Sequence, residues 1–208
     1  MIEKKNKSQK ALIMAQSSIL FWDKGYAETS MKDISKACGF RPANIYNFFK
    51  SKESILYEIL LDEMVDILSP IRHLEKDESV PPEKALRMVI ENLLKLTLSA
   101  KRISKLLFDV ALKNLSPPHR RKIIRLRDDF DRITIAIIRR GTKAGVFDDI
   151  DEKLAAFSIA SMIVRARIWY SPRGKYKVDE LVNFIYYFVL NGLGSTGTAI
   201  QKRKGARD

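Results

Sequence analysis

Scarcity narrows this sequence first. It has one cysteine, Cys38, so no disulfide can close within the chain, and a reducing compartment is the direct reading. Only two histidines are present, His73 and His119, and neither has a metal-ligating partner at helical spacing, so each reads as a lone exposed side chain. Nine glycines and seven prolines are too few for the many turns of an all-β protein. No apolar run approaches the ~20 residues a membrane-spanning helix needs. Lys4, Lys5, Lys7 and Lys10 precede an apolar stretch, as in a signal peptide. However, Gln16, Ser17 and Ser18 interrupt that stretch and no small-residue cleavage site follows, which argues against secretion and for a cytoplasmic protein. There is no phosphate-binding glycine loop and no nucleophile elbow. Asp128-Asp129 and Asp148-Asp149 read as helix-terminal or surface carboxylates, and Cys38, with no histidine nearby, as a small core residue. Neither catalysis nor a bound metal or cofactor is expected.

What the chain does have is helix and positive charge. Its 208 residues are 46% apolar, enough for one or two domains with a sizeable core. Lys and Arg number 38 against 25 acids, a net charge of +13 that favours a polyanionic partner. Punctuation by Gly, Pro and capping residues divides the sequence into about nine helices: 8–24, 31–38, 42–48, 51–68, 82–99, 101–114, 117–144, 151–169 and 178–190. The expected fold is all-α. Residues 1–57 form a three-helix unit, residues 58–194 a larger helical domain, and residues 195–208 a basic tail.

The first three helices are short and close together, with a turn at Gly39 between the second and third. That is the geometry of a helix-turn-helix, whose second helix enters a major groove. In the stretch Arg41-Pro42-Ala43-Asn44-Ile45-Tyr46-Asn47-Phe48-Phe49, Ile45 and Phe49 share a core face. Arg41, Ala43, Asn44 and Asn47 are the candidate base contacts: Arg41 for a guanine edge or else a phosphate, the asparagines for adenine, Ala43 for a thymine methyl. Thr29 or Ser30 caps the second helix, with Asp33 in its first turn as in a capping box. Tyr46, Lys50 and Lys52 suit phosphate oxygens, as do Thr29 and Ser30 at the amino end of that helix. Read without further support, the same helices also suit a plain bundle or a non-regulatory basic protein that binds nucleic acid through general charge.

Gly25-Tyr26, Thr29-Ser30-Met31, Asp33-Ile34, Gly39, Ile45-Tyr46, Phe49 and Ser51-Lys52-Glu53 closely resemble the TetR-family DNA-binding domain over residues 10–57. Arg41, Asn44 and Phe48 depart from that pattern, at positions where a small capping residue, Thr and His are frequent. The resemblance implies a homodimeric regulator, a repressor, whose C-terminal domain senses a small ligand. Such a dimer would bind a roughly palindromic double-stranded operator, and the helix from residue 51 would join its two domains.

A second resemblance covers residues 117–194. Gly141 to Phe147, Asp151, Trp169-Tyr170-Ser171-Pro172-Arg173-Gly174 and Leu190-Asn191-Gly192-Leu193 are similar to TetR regulators of fatty-acid and steroid breakdown, several of which respond to acyl-CoA thioesters. Such an effector needs an apolar cavity and cations for its phosphates. Phe108, Phe130, Met162 and Trp169 are the candidate lining, and Arg127 and Arg165 the candidate cations, with an ion pair or a solvent-facing stem as the alternative for each arginine. Between Lys101 and Arg140 twelve basic residues face four acids, either a solvated surface or the entrance for an anion. In the last helix Leu181, Ile185, Phe188 and Val189 make one apolar surface and Phe184, Tyr187 and Leu190 another. One of them is expected to meet the core and the other a second subunit.

Overall fold

The computed structural model describes residues 2–99 and 111–194, with the side chains of the first helix from Asn6 onward. The described residues form eight α-helices and one short 3-10 helix, with no strand. The α-helices are α1 (Ile2–Asp23), α2 (Met31–Ala37), α3 (Pro42–Tyr46), α4 (Lys52–Leu68), α5 (Pro82–Leu98), α6 (Pro117–Lys143), α7 (Glu152–Trp169) and α8 (Val178–Gly192). The helix expected over 101–114 lies outside the described residues except for its last four positions, and so do Phe108 and the tail from 195. α1 begins at Ile2 and not at residue 8. Nothing before Gly25 breaks a helix, since the first glycine stands there and the first proline is Pro42.

Two compact units result. One comprises residues 1–65 with 100–126, the other 66–99 with 127–208. Their boundary falls between residues 65 and 66, inside α4, which runs unbroken from Lys52 to Leu68. Likewise α6 contributes its first ten residues to one unit and the remainder to the other.

In the first unit α2 packs against both α1 and α3. Ile13, Phe21, Ile34, Ile45, Ile55, Leu56 and Leu60 are buried together with Phe49. The turn between α2 and α3 is fixed by Gly39 at φ +66, a left-handed conformation that costs a side-chain-bearing residue energy. There the Gly39 N–H donates to the Lys36 carbonyl at 3.1 Å and the Phe40 N–H to that of Ser35 at 2.9 Å, a Schellman closure. Pro42 then opens α3 in a position that needs no N–H.

In the second unit α5 packs on both α7 and α8. Its buried stripe is Ala85, Leu86, Val89, Ile90, Leu93, Leu94 and Thr97. Opposite it stand Ala156, Ile159, Ile163 and Ala166 of α7 and Leu181, Val182, Ile185, Tyr186 and Val189 of α8. The Asp151 carboxylate caps α7 by accepting from the N–H groups of Lys153 and Leu154 at 3.0 and 2.9 Å.

Candidate nucleic-acid interface

α3 is held by one side and offers the other. Ile45 and Phe49 lie a helical turn apart and are buried, whereas Arg41, Ala43, Asn44, Tyr46, Asn47 and Lys50 are exposed. Arg41 is the N-cap residue, yet its side chain makes no capping hydrogen bond. Its guanidinium fork is therefore not needed by the helix.

The amino end of α2 is capped by Ser30 with Asp33, as their spacing in the sequence predicts, so it is not an open helix end. Ser30 Oγ accepts from the Asp33 N–H at 3.1 Å, and the Ser30 N–H donates to the Asp33 carboxylate at 2.9 Å. Lys24 also reaches that carboxylate, at 2.9 Å. Hydrogen bonds from Lys24 and from the Ser30 N–H and hydroxyl hold the Asp33 carboxyl well below the ordinary range. The first-turn N–H groups of Met31 and Lys32 have no intrahelical acceptor. These, more than the Ser30 hydroxyl, are the groups α2 has for a phosphate.

Two expected phosphate contacts are taken up inside the fold. Thr29 is buried, and its hydroxyl donates to the Gly25 carbonyl at 2.7 Å, closing the end of α1. Lys52 donates from Nζ to the carbonyls of Tyr26, Thr29 and Ala27 at 2.6, 2.8 and 3.1 Å. An ammonium has three protons, and all three are committed to the α1–α2 turn.

A further contact had no signal in the sequence. The Glu53 carboxylate accepts from the Ser116 N–H at 3.1 Å and pairs with Nδ1 of His119 at 2.7 Å. The His119 ring stacks on Tyr57 with centroids 3.8 Å apart. His119 is thus a partnered residue and not a lone exposed one. Burial pushes the Glu53 carboxyl up, but the bonds from His119 and Ser116 outweigh it, and the net shift is downward.

The expected effector residues do not share one environment. Phe130 is buried and Met162 half-buried, while Arg127, Arg165 and Trp169 are exposed. Arg127 lies 3.6 Å from Asp128. Arg165 and Trp169 share the outer side of α7 with Val164 and Ile168, away from buried Ile163 and Ala166. Part of the basic surplus is also neutralised within this unit. Arg132 pairs with Glu75 and, at 2.9 Å, with Asp129, and Arg139 lies 3.2 Å from Glu152. Arg140 donates to the carbonyls of Asp77 and Val80 at 2.7 and 3.0 Å.

In α8, Leu181, Ile185 and Val189 are buried, so they are not available to a second subunit. Phe184, Tyr187 and Phe188 are each more than half exposed, and Phe188 therefore sorts with Phe184 rather than with Leu181. Leu154, Phe157, Val164 and Ile168 form a second exposed apolar row along α7. Among the described residues no cluster of His, Cys, Asp and Glu suits a metal ion, and no helix is long and apolar enough to cross a membrane.

A helix-turn-helix with a committed inner face and an uncommitted outer one defines a DNA-binding regulator. Residues 13–59 match the model of the bacterial regulatory proteins of the tetR family, and residues 79–193 that of the tetracyclin repressor-like C-terminal domain. This chain belongs to the TetR family, a family of transcriptional regulators and not of enzymes. It is similar to the HTH-type transcriptional repressor KstR2 of Rhodococcus jostii (strain RHA1), with 28% identity over 86% of this chain and 88% of that protein. The TetR family transcriptional regulator PfmR from Thermus thermophilus superposes with a TM-score of 0.78 at 32% identity, covering 87% of this chain and 98% of that one. AibR in complex with isovaleryl coenzyme A and operator DNA has the same fold, with a TM-score of 0.76 at 21% identity, over 86% of this chain and 97% of that one.

Proposed function

We propose that this protein is a cytoplasmic, homodimeric repressor that holds a palindromic operator and leaves it when an acyl-CoA thioester binds the C-terminal domain. The observation that carries the DNA half of this reading is the sorting of α3, with Ile45 and Phe49 buried and Arg41, Ala43, Asn44 and Asn47 exposed. The dimer is supported by the exposed rows on α7 and α8, since aromatic side chains grouped on one surface favour burial against a partner. Two copies of the motif related by a two-fold axis read two half-sites, and a protein that works on the chromosome belongs in the cytoplasm. The effector class is supported by the motifs at 141–151, 169–174 and 190–193, and by the isovaleryl coenzyme A carried by AibR. Phe130 and Met162 are the inward-facing groups available to an acyl chain.

Release follows from linkage. An effector that weakens operator binding by some factor binds the DNA-free form more tightly by the same factor. Calorimetric titration with medium- and long-chain acyl-CoA, free CoA and the matching fatty acid tests the reading. Acyl-CoA is expected to bind best and to dissociate a protein–operator complex. Equal binding of the free acid removes the role of CoA, and no binding by any of the four removes acyl-CoA altogether.

A further inference from the structure

From Lys113 to Arg127 the chain contains no acidic residue. Arg127 approaches Asp128, but Lys113, Arg120, Arg121, Lys122 and Arg125 are exposed, and none of these five is ion-paired among the described residues. Three of them, Arg120, Arg121 and Lys122, follow one another near the opening of α6, which has no acid of its own in the first turn, and the one carboxylate that reaches this end, Glu53, is taken up by the Ser116 N–H and His119. Five exposed cations in one acid-free stretch, none of them ion-paired among the described residues, suit a polyanionic partner.

The fold also places this run. It lies in the compact unit that contains the helix-turn-helix, not in the one that contains most of the C-terminal domain. His119, the residue just before Arg120, is held at 2.7 Å by Glu53 in the first turn of α4. Glu53 in turn follows directly on Lys50, Ser51 and Lys52, the edge of the DNA-reading motif. Arg120, Arg121 and Lys122 therefore fall within about one helical turn, ~5.4 Å along the axis, of a residue fixed to that edge.

We propose that the basic run at the start of α6, Arg120, Arg121, Lys122 and Arg125 with Lys113, is a second phosphate-binding surface that grips operator DNA flanking the half-site read by α3. It rests on the reading of the chain as an operator-binding protein, and it extends the DNA interface into a segment that the family's N-terminal match, residues 13–59, does not include. Duplex DNA supplies closely spaced phosphates, and a cluster of unpaired cations on one helix end matches that spacing of charge without reading bases.

The test compares wild type with Arg120→Ala/Arg121→Ala/Lys122→Ala and with Arg121→Ala/Arg125→Ala. The probe is a duplex selected by the wild-type protein from a random pool, used trimmed to the palindrome and with about one helical turn, ~10 base pairs, added on each side. On the long duplex, the slope of log affinity against log salt should shrink by ~0.9 for each phosphate no longer neutralised, with base preference unchanged. On the trimmed duplex wild type and variants should converge, and Arg120→Lys/Arg121→Lys should keep the wild-type slope. Thermal unfolding of the variants should occur no lower than in wild type, because the substituted side chains are exposed and make no ion pair among the described residues. Equal slopes on the long duplex overturn the proposal and leave a solvated face. Equal slopes accompanied by weaker acyl-CoA binding overturn it in favour of an effector entrance. The regulator reading fails by a separate result, a wild-type protein that selects no sequence from the pool, and the slope comparison can still be made on random DNA.

Discussion

Lys52 and Tyr26 are joined twice: the ammonium donates to the Tyr26 carbonyl at 2.6 Å and lies 4.4 Å from the centroid of its ring. With the further bonds to Ala27 and Thr29, this one side chain closes the turn that leads from α1 into α2. Lys52→Ala should therefore lower the stability of the DNA-binding unit by about 1–3 kcal/mol, the range for hydrogen bonds to a charged group, even with no DNA present. Chemical denaturation of the free protein measures it. An unchanged midpoint together with a flatter salt dependence of operator binding would return Lys52 to the phosphate role expected from sequence alone.

The Glu53 carboxylate gives a pH signature. Its folded-state pKa is lowered below the ordinary 4.5, so its ionised form stabilises the fold fully above that value. The contribution is lost as pH falls through the lower, folded value. Glu53→Gln, which preserves shape and one acceptor, should be less stable than wild type by about 1 kcal/mol at neutral pH. The two proteins should converge in acid below the carboxylate range. Denaturation midpoints at a series of pH values decide it, and a constant difference down to strong acid would show that the charge is irrelevant.

The elements and contacts readable in the sequence were those set by neighbours within a turn or two. Gly25, Gly39, Pro42 and Asp151 mark helix ends through their own backbone or side-chain chemistry, and the 45/49 spacing decides which side of α3 faces inward. Thr29 and Lys52 were misplaced. Both are polar residues of types that suit phosphates; the Thr29 hydroxyl turns back onto the Gly25 carbonyl four residues earlier, while Lys52 is occupied by carbonyls 23 to 26 residues away that only the fold brings close. The Glu53–His119 pair joins residues 66 positions apart, with no periodicity or motif between them. In α8 every candidate was apolar, so composition could not separate core from surface. The packing of α5 made that choice, drawing in Leu181, Ile185 and Val189 and leaving Phe184, Tyr187 and Phe188 outside.

That division of α8 predicts opposite outcomes for one chemical change. Phe184→Glu and Tyr187→Glu place a charge on an exposed surface and should give a folded monomer in sedimentation. Ile185→Glu buries a charge without a partner, and the protein should fail to fold. A dimer that survives both surface substitutions would move the interface elsewhere.

Asp131 should respond in the opposite direction to Glu53. Burial raises its carboxyl pKa; the nearby Arg127 charge opposes that rise and the Asp128 charge adds to it. Because the folded value lies above the unfolded one, stability declines as pH rises from the ordinary carboxylate pKa through the folded value. Above that it stays at the reduced level. Asp131→Asn should thus be as stable as wild type or more so at neutral pH, with the gain vanishing in acid. A loss of stability at neutral pH would mean that the charge has a favourable partner, with Arg127 the first to examine.

Arg41 offers the sharpest separation between folding and reading. Its side chain is exposed and makes no capping bond, so Arg41→Ala removes nothing that holds α3 in place, and the free protein should melt as wild type does. On DNA, a guanidinium that forks onto a guanine edge contributes about 1–3 kcal/mol of discrimination at a single base pair. The variant should lose about that much affinity for the selected operator and become indifferent to the base at one position of each half-site. Its salt dependence should stay close to wild type, because a base contact releases no counterion. If Arg41 instead holds a phosphate, the loss will be uniform across sequences and the salt slope will fall by ~0.9 for each phosphate involved. Affinities for the operator and its single-position variants, each measured at several salt concentrations, separate these outcomes. A uniform loss would leave base reading by α3 to Ala43, Asn44 and Asn47.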